Sequence, residues 1–206
     1  MEVICLKSKF LRGIFDQNTY VLLDENDAII IDAGAEIEDV KAVIGRRKVQ
    51  GILLTHIHFD HVWNLEKYLD EFDAKAYIPD GQEFKFMDKE YNASTMIHHE
   101  FKFDVPKEKI GYYSEKMKLG KFEIQVISTP GHSADSVCVK IDGNLFTGDT
   151  LFDGNIGRTD FVDASENEMI KSLKKIKNVE FDFAYPGHYG SMDKQKADMT
   201  IDMFLK

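Results

Sequence analysis

The run Thr55-His56-Ile57-His58-Phe59-Asp60-His61 constrains this chain more than any other stretch. Four of its seven residues carry metal-binding groups, and all four fall within six positions. It follows Gly51-Ile52-Leu53-Leu54, a short apolar segment bounded by glycine, which reads as a buried strand. The polar cluster therefore begins where a strand leaves the core, and Val62-Trp63-Asn64-Leu65 reads as the start of a helix. A strand end is a rigid platform, and a tight loop beyond it can aim several imidazoles at one point. A lone histidine is ordinarily a solvated or hydrogen-bonded side chain. Three imidazoles and a carboxylate at the edge of a core need something to offset their desolvation. Zinc and iron accept imidazole nitrogen and carboxylate oxygen, so a metal ion is the natural compensation.

The flanking sequence supplies that core. Residues 3–6 and 20–23 read as strands, and Asp24-Glu25-Asn26-Asp27 turns the chain into a β-branched strand at 28–31. This strand ends at Asp32-Ala33-Gly34, where glycine permits a tight exit. Residues 36–44 carry Ile37, Val40, Ala42, Val43 and Ile44, consistent with a helix packed on one face. After the histidine run come a helix through Tyr68 and a strand at 74–78, stopped by Pro79-Asp80-Gly81. Residues 82–109 are the least regular, and most of their aromatic side chains read as packing on the core. Residues 121–127 alternate, with Phe122, Ile124 and Val126 on one face. Residues 137–141 and 145–147 flank Asp142-Gly143, the firmest hairpin in the chain. Ser165 with Glu168 three positions on predicts a capping box before the apolar positions Met169, Ile170, Leu173 and Ile176. Residues 181–185 form the last predicted strand. This order implies an α/β sandwich with mixed sheets. Cys5 and Cys138, each flanked by apolar residues, read as buried free thiols.

No repeat or Pro- or Ser-rich linker divides the 206 residues, which suits one domain over 1–206. A net charge of −10 argues against a nucleic-acid footprint. No apolar run reaches transmembrane length and no signal peptide opens the chain, so no membrane partner and a cytoplasmic location are expected.

Three later segments also follow predicted strands: Thr129-Pro130-Gly131-His132-Ser133, Thr147-Gly148-Asp149-Thr150 and Tyr185-Pro186-Gly187-His188. Together with the histidine run, in this order, they resemble the metallo-β-lactamase-fold superfamily. The segment from Asp149 through Leu151-Phe152-Asp153-Gly154 to Gly157-Arg158-Thr159-Asp160 is similar to its glyoxalase II branch. The resemblance implies a four-layer αββα sandwich of two mixed β-sheets. It implies that His56, His58 and His132 hold one divalent metal and that Asp60, His61 and His188 hold a second, with Asp149 bridging. Zinc is expected, with iron or manganese open. Asp32 corresponds to a family loop near the metals, against a plain turn aspartate as the alternative. Asn18 and Tyr20 resemble a pattern near the site, and residues 88–94 a loop that covers it. His98 and His99 match no ligand position and, being adjacent, diverge in regular structure; they are left out of the site.

Seven ligands are too many for one tetrahedral ion, whereas two ions sharing a carboxylate and a water use all of them. A water shared by two cations becomes a nucleophile near neutral pH, one metal can polarise a carbonyl, and Asp60 can orient the attacking oxygen. No separate general acid is evident. Thiolates leave without prior protonation, since a thiol pKa is about 8.5. The expected activity is therefore hydrolysis of a small acyl thioester, as by a hydroxyacylglutathione hydrolase. Only eighteen residues follow His188, where full glyoxalase II enzymes continue into a glutathione-binding helical domain. The thiol carrier is thus left open, and Lys194 and Lys196 read as a solvated face. Arg158 is the candidate substrate contact, with a salt bridge inside its own loop as the alternative. The competing reading is a persulfide dioxygenase with iron on His56, His132 and Asp149. A β-lactamase, a nuclease and a non-enzymatic metal-binding module are disfavoured.

Overall fold

Strands that are apolar on both faces must lie between two other layers. The computed structural model, which describes residues 1–10, 16–98 and 100–205, shows how the first such strands are covered. Strand β1 (Glu2–Lys7) precedes β2 (Asn18–Leu23), β3 (Asp27–Ile31), helix α1 (Ile37–Ile44), β4 (Lys48–Leu53) and helix α2 (Leu65–Glu71). Along β2 to β4, Val21, Leu23, Ala28, Ile30 and Ile52 pack with Val40, Leu65 and Tyr68 of the helical layer. The alternate residues Tyr20, Leu22, Ile29, Ile31 and Leu53 face a second sheet. Period-two alternation thus divides each strand between two cores.

The chain continues through β5 (Ala76–Ile78), β6 (Ile110–Tyr112), β7 (Lys116–Leu119), β8 (Phe122–Ser128), β9 (Val137–Ile141) and β10 (Asn144–Gly148). A short hairpin, β11 (Leu151–Phe152) and β12 (Asn155–Ile156), leads to α3 (Glu166–Lys177), β13 (Phe183–Pro186), β14 (Met192–Asp193) and α4 (Lys194–Phe204). Among the described residues, one six-stranded sheet runs β1-β2-β3-β4-β5-β6 and the other β14-β13-β10-β9-β8-β7. Each mixes parallel and antiparallel neighbours: β3, β4, β5 and β6 are mutually parallel, as are β10 and β13. Leu145, Cys138 and Ile127 of the second sheet pack on Met169, Leu173 and Ile201 of α3 and α4. The layers are therefore helix, sheet, sheet, helix, as expected. Among the described residues no helix is long and apolar enough to cross a membrane.

Helix α3 starts where Ser165 Oγ accepts the Glu168 N–H at 3.3 Å. Only half of the predicted capping box forms. The Ser165 N–H goes to the Gly131 carbonyl instead (2.8 Å), and Glu168 pairs with Lys171. That exchange ties the helix to the loop that carries His132. Other departures are local. Helix α2 begins at Leu65 rather than Val62, β5 is shorter than its apolar run, and β6 and β7 had no strand signal assigned. Cys138 is buried, but Cys5 is exposed. Its neighbours Ile4 and Leu6 pack on the helix-side core. Cys5 points to the opposite face of a strand whose pairing is with β2 alone. Among the aromatics of 82–109, Phe86 and Phe103 are buried while Phe84 stays exposed.

Candidate metal centre

Four strand ends deliver the seven side chains. The loop after β4 carries His56, His58, Asp60 and His61 from the first sheet. Those after β8, β10 and β13 carry His132, Asp149 and His188 from the second. The cluster lies where one edge of each sheet meets the other. Six of these side chains are buried and His188 is nearly so.

Their ligand atoms converge, and several polar atoms of the cluster lack a hydrogen bond. His56 Nε2, His58 Nε2, His61 Nε2 and Asp149 Oδ1 are buried and make no hydrogen bond. Ligand atoms of His56, His58 and His132 lie within 4.8 Å of one another, as do those of Asp60, His61 and His188, and of His56, His61 and Asp149. Asp149 spans the groups. Its Oδ1 is 3.2 Å from His61 Nε2, and its Oδ2 is 3.5 Å from His132 Nε2 and 3.4 Å from His188 Nε2. His188 Nε2 is also 3.3 Å from Asp60 Oδ2. His58 Nδ1 faces His132 Nε2 at 3.0 Å.

Three of the imidazoles are held from behind through their second nitrogen, which fixes the face each presents. His132 Nδ1 donates to the Arg158 carbonyl (2.9 Å), and His56 Nδ1 meets Thr55 Oγ1 at 3.2 Å. His61 Nδ1 lies 2.8 Å from Asp32 Oδ2. Asp32 is no plain turn residue: it is buried, sits at φ 60° and accepts the Thr55 N–H at 2.7 Å. Asn18 and Tyr20 act on the opposite loop. Asn18 Nδ2 donates to the carbonyls of Pro186 (2.9 Å) and Tyr189 (3.0 Å), and the Tyr20 hydroxyl to that of Pro186 (2.6 Å). Gly187 is required between them, because a Cβ there would lie 2.3 Å from Asp149 Oδ1 and 2.6 Å from His61 Cε1.

Burial, reinforced by the neighbouring imidazoles, holds His56 and His58 well below the ordinary histidine value. Burial also lowers His132. All three are therefore neutral, the form that binds metal. Burial would lower His61 too, but Asp32, Asp149 and Asp60 outweigh it and hold it well above. His188 is pushed up to about 10, because Asp149 and Asp60 overcome its burial. Burial alone would raise Asp149, yet His188 and His61 carry it well below the carboxylate range. The carboxylates draw protons onto these two imidazoles, a charge balance that a pair of cations would equally provide.

Above the cluster is a cavity of about 260 Å³ walled by Ala93, Met96, Phe152, Arg158, Phe161 and Tyr189. Larger grooves of about 590 and 610 Å³ contain none of the seven side chains. The Phe161 ring packs on His58 (4.7 Å between centroids) and His132 (5.2 Å). Arg158 lines the cavity and makes the salt bridge inside its own loop, a two-pronged pair with Asp160 at 2.7 and 2.8 Å. The segment resembling a covering loop reaches the site through Ala93, beside Met96, and the Asn92 carbonyl accepts the Phe59 N–H at 2.8 Å. His98 is exposed and away from the cluster; His99 lies outside the described residues. Lys194 and Lys196 pair with Asp198 and Asp153. Sequence reasoning missed Tyr189 and Phe161, and also a buried lysine, Lys85, beneath the histidine loop.

Residues 12–188 match the family model described as the metallo-beta-lactamase superfamily. A probable metallo-hydrolase of Bacillus subtilis (strain 168) is 29% identical over 165 residues, 78% of each chain. A hydroxyacylglutathione hydrolase of Francisella philomiragia subsp. philomiragia is 30% identical over 187 residues, 89% of this chain and 67% of its own. Among solved structures, the BLEG-1 B3 metallo-beta-lactamase superposes over 100% of both chains, with TM-score 0.88 and 26% identity. TTHA1623 in a di-iron-bound form covers 97% of this chain and 98% of its own, with TM-score 0.79 and 26% identity.

Proposed function

The chain belongs to the metallo-beta-lactamase superfamily, and from that premise we propose that it is a metal-dependent hydrolase of small acyl thioesters, similar to hydroxyacylglutathione hydrolases. The observation that carries the proposal is the convergence of buried ligand atoms from seven side chains, among which four buried polar atoms lack a hydrogen bond. Buried polar atoms without partners are costly, and divalent cations would offset that cost. His56, His58 and His132 would hold one ion, Asp60, His61 and His188 a second, and Asp149 would contact both. Zinc suits this nitrogen and oxygen set, as do iron and manganese. Bound there, the ions would supply Lewis acidity at a carbonyl oxygen and make a bound water more acidic.

The chain's own groups do the rest. Asp32, Thr55 and the Arg158 carbonyl set the ring orientations, and Asn18 and Tyr20 hold the His188 loop in register. Asp60 lies on the cavity floor, where it would orient the attacking water. Phe161, Phe152 and Met96 make apolar walls that exclude bulk water from the acyl group. Among the described lining residues, Arg158 and Tyr189 are the proton-bearing groups besides the ligands. Arg158 is paired with Asp160 and cannot serve as an acid at neutral pH. Such a site favours leaving groups stable as anions, thiolates above amines.

The test uses one metal-defined preparation. Thiol release from a 2-hydroxyacyl glutathione thioester is compared with oxygen uptake on glutathione persulfide and with opening of a β-lactam. Thioester turnover should dominate. Oxygen uptake without thiol release would overturn the proposal in favour of an iron dioxygenase, and preferential β-lactam cleavage would overturn it in favour of a lactamase. The assembly of Asp60, His61 and His188 as a second group favours the hydrolase over a three-ligand iron site.

A further inference from the structure

Lys85 is 1% exposed, yet it comes from an irregular segment that the proposed chemistry does not use. Its ammonium is 2.5 Å from Asp135 Oδ1 and also hydrogen-bonds Asp163 Oδ2. Each partner is committed elsewhere as well. Asp135 Oδ2 accepts the N–H of Ile57, the residue between His56 and His58, at 2.8 Å. Asp163 Oδ2 accepts the Ala134 N–H at 3.1 Å, and Asp163 lies two residues beyond Phe161. A buried ion pair is poor evidence for stability, because desolvation of the charges offsets much of their attraction. What this one does geometrically is join four segments around the cavity. These are the histidine loop through Ile57, the His132 loop through Ala134 and Asp135, the loop bearing Arg158 and Phe161 through Asp163, and the segment bearing Ala93 and Met96 through Lys85 itself.

We propose that Lys85 is a positioning residue that clasps the two walls of the substrate cavity to the histidine loop, and that its Asp163 arm controls substrate affinity by seating Phe161. The two arms should therefore separate. Asp163→Ala removes the oxygen that accepts from both Lys85 and Ala134, so it releases one wall but leaves Lys85 on Asp135 and Asp135 on Ile57. Lys85→Met releases both walls and leaves Asp135 buried without its cation.

The first readout is hydrogen exchange on the intact protein, which needs no substrate. Exchange in residues 157–165 should rise at least tenfold in Asp163→Ala, and in 83–98 as well in Lys85→Met, with β3 and β9 unchanged. The second readout, which rests on the thioester reading, is turnover of a 2-hydroxyacyl glutathione probe. Asp163→Ala should raise KM about tenfold, hold kcat within twofold and keep its metal content. If wild type does not turn over the probe, that reading falls and exchange alone judges the clasp. Unchanged exchange in 157–165, or a uniform rise across all elements, would overturn the clasp. So would a loss of kcat matching the loss of folded protein.

Discussion

Replacing Asp32 by asparagine keeps the shape of a buried side chain and changes what one edge of it can do. Asp32 Oδ1 accepts the Thr55 N–H at 2.7 Å, and Oδ2 faces His61 Nδ1 at 2.8 Å. Asparagine can keep the first contact through its carbonyl oxygen, which turns an NH2 donor toward His61. Two outcomes follow. Either two donors oppose each other in a buried place, costing about 1–3 kcal/mol, or His61 gives up its Nδ1 proton and keeps the one on Nε2, the atom that faces Asp149. In the second case a cation that displaces the Nε2 proton drives one back onto Nδ1, against the amide. Loss of a hydrogen-bonded partner behind a ligand typically lowers metal affinity about 10- to 100-fold, which is about 1.4–2.8 kcal/mol. The two routes agree in size. Zinc competition against a chromogenic chelator, at fixed pH and with circular dichroism to confirm folding, should show the weaker of two binding steps reduced by that factor. The stronger step should move much less, because Asp32 does not touch His58 or His132. Second-site affinity within twofold of wild type, or equal weakening of both steps, would refute the tautomer argument.

Other outcomes follow from the same geometry. His188→Ala should lose one ion and keep the other, while Asp149→Ala should deplete both, as elemental analysis would show. Chelator-treated protein should melt at progressively lower temperature as pH rises from about 7 to 10. His188 is raised to about 10 when folded, so its contribution is complete below the unfolded value of about 6.5 and lost as pH passes the folded one. His188→Ala should flatten that slope in calorimetric melts. Leu53→Ala, at a fully buried position between the sheets at the end of β4, two residues before Thr55, should cost about 2–5 kcal/mol in urea unfolding.

Much of this molecule was legible because its signals are periodic or clustered. Strands β2 to β4 bury both faces, so their runs of Val, Leu and Ile betrayed a covered sheet. The histidine run marked itself, since imidazoles and a carboxylate crowded at a strand end have few other uses. Asp32 was legible only by position; its contact with His61 comes from a left-handed backbone that no short window reveals. Lys85 was not legible at all. Its partners lie 50 and 78 residues away, and a lysine amid aromatics carries no period that distinguishes burial from solvation. Cys5 misled because apolar neighbours on a strand point away from the residue between them.

The seating of the His188 loop on Asn18 and Tyr20 has a consequence for biosynthesis. Residues made early grip a loop made late; Asn18 reaches the Pro186 carbonyl across 168 positions. His61 emerges 127 residues before His188 (188 − 61), roughly 6–25 s at about 5–20 residues per second. During that interval the nascent chain displays a histidine-rich loop whose partners do not yet exist. A cation captured then would meet an incomplete and promiscuous set of donors. The second half of the centre closes only once β13 has docked between β10 and β14, so selective loading waits for that docking.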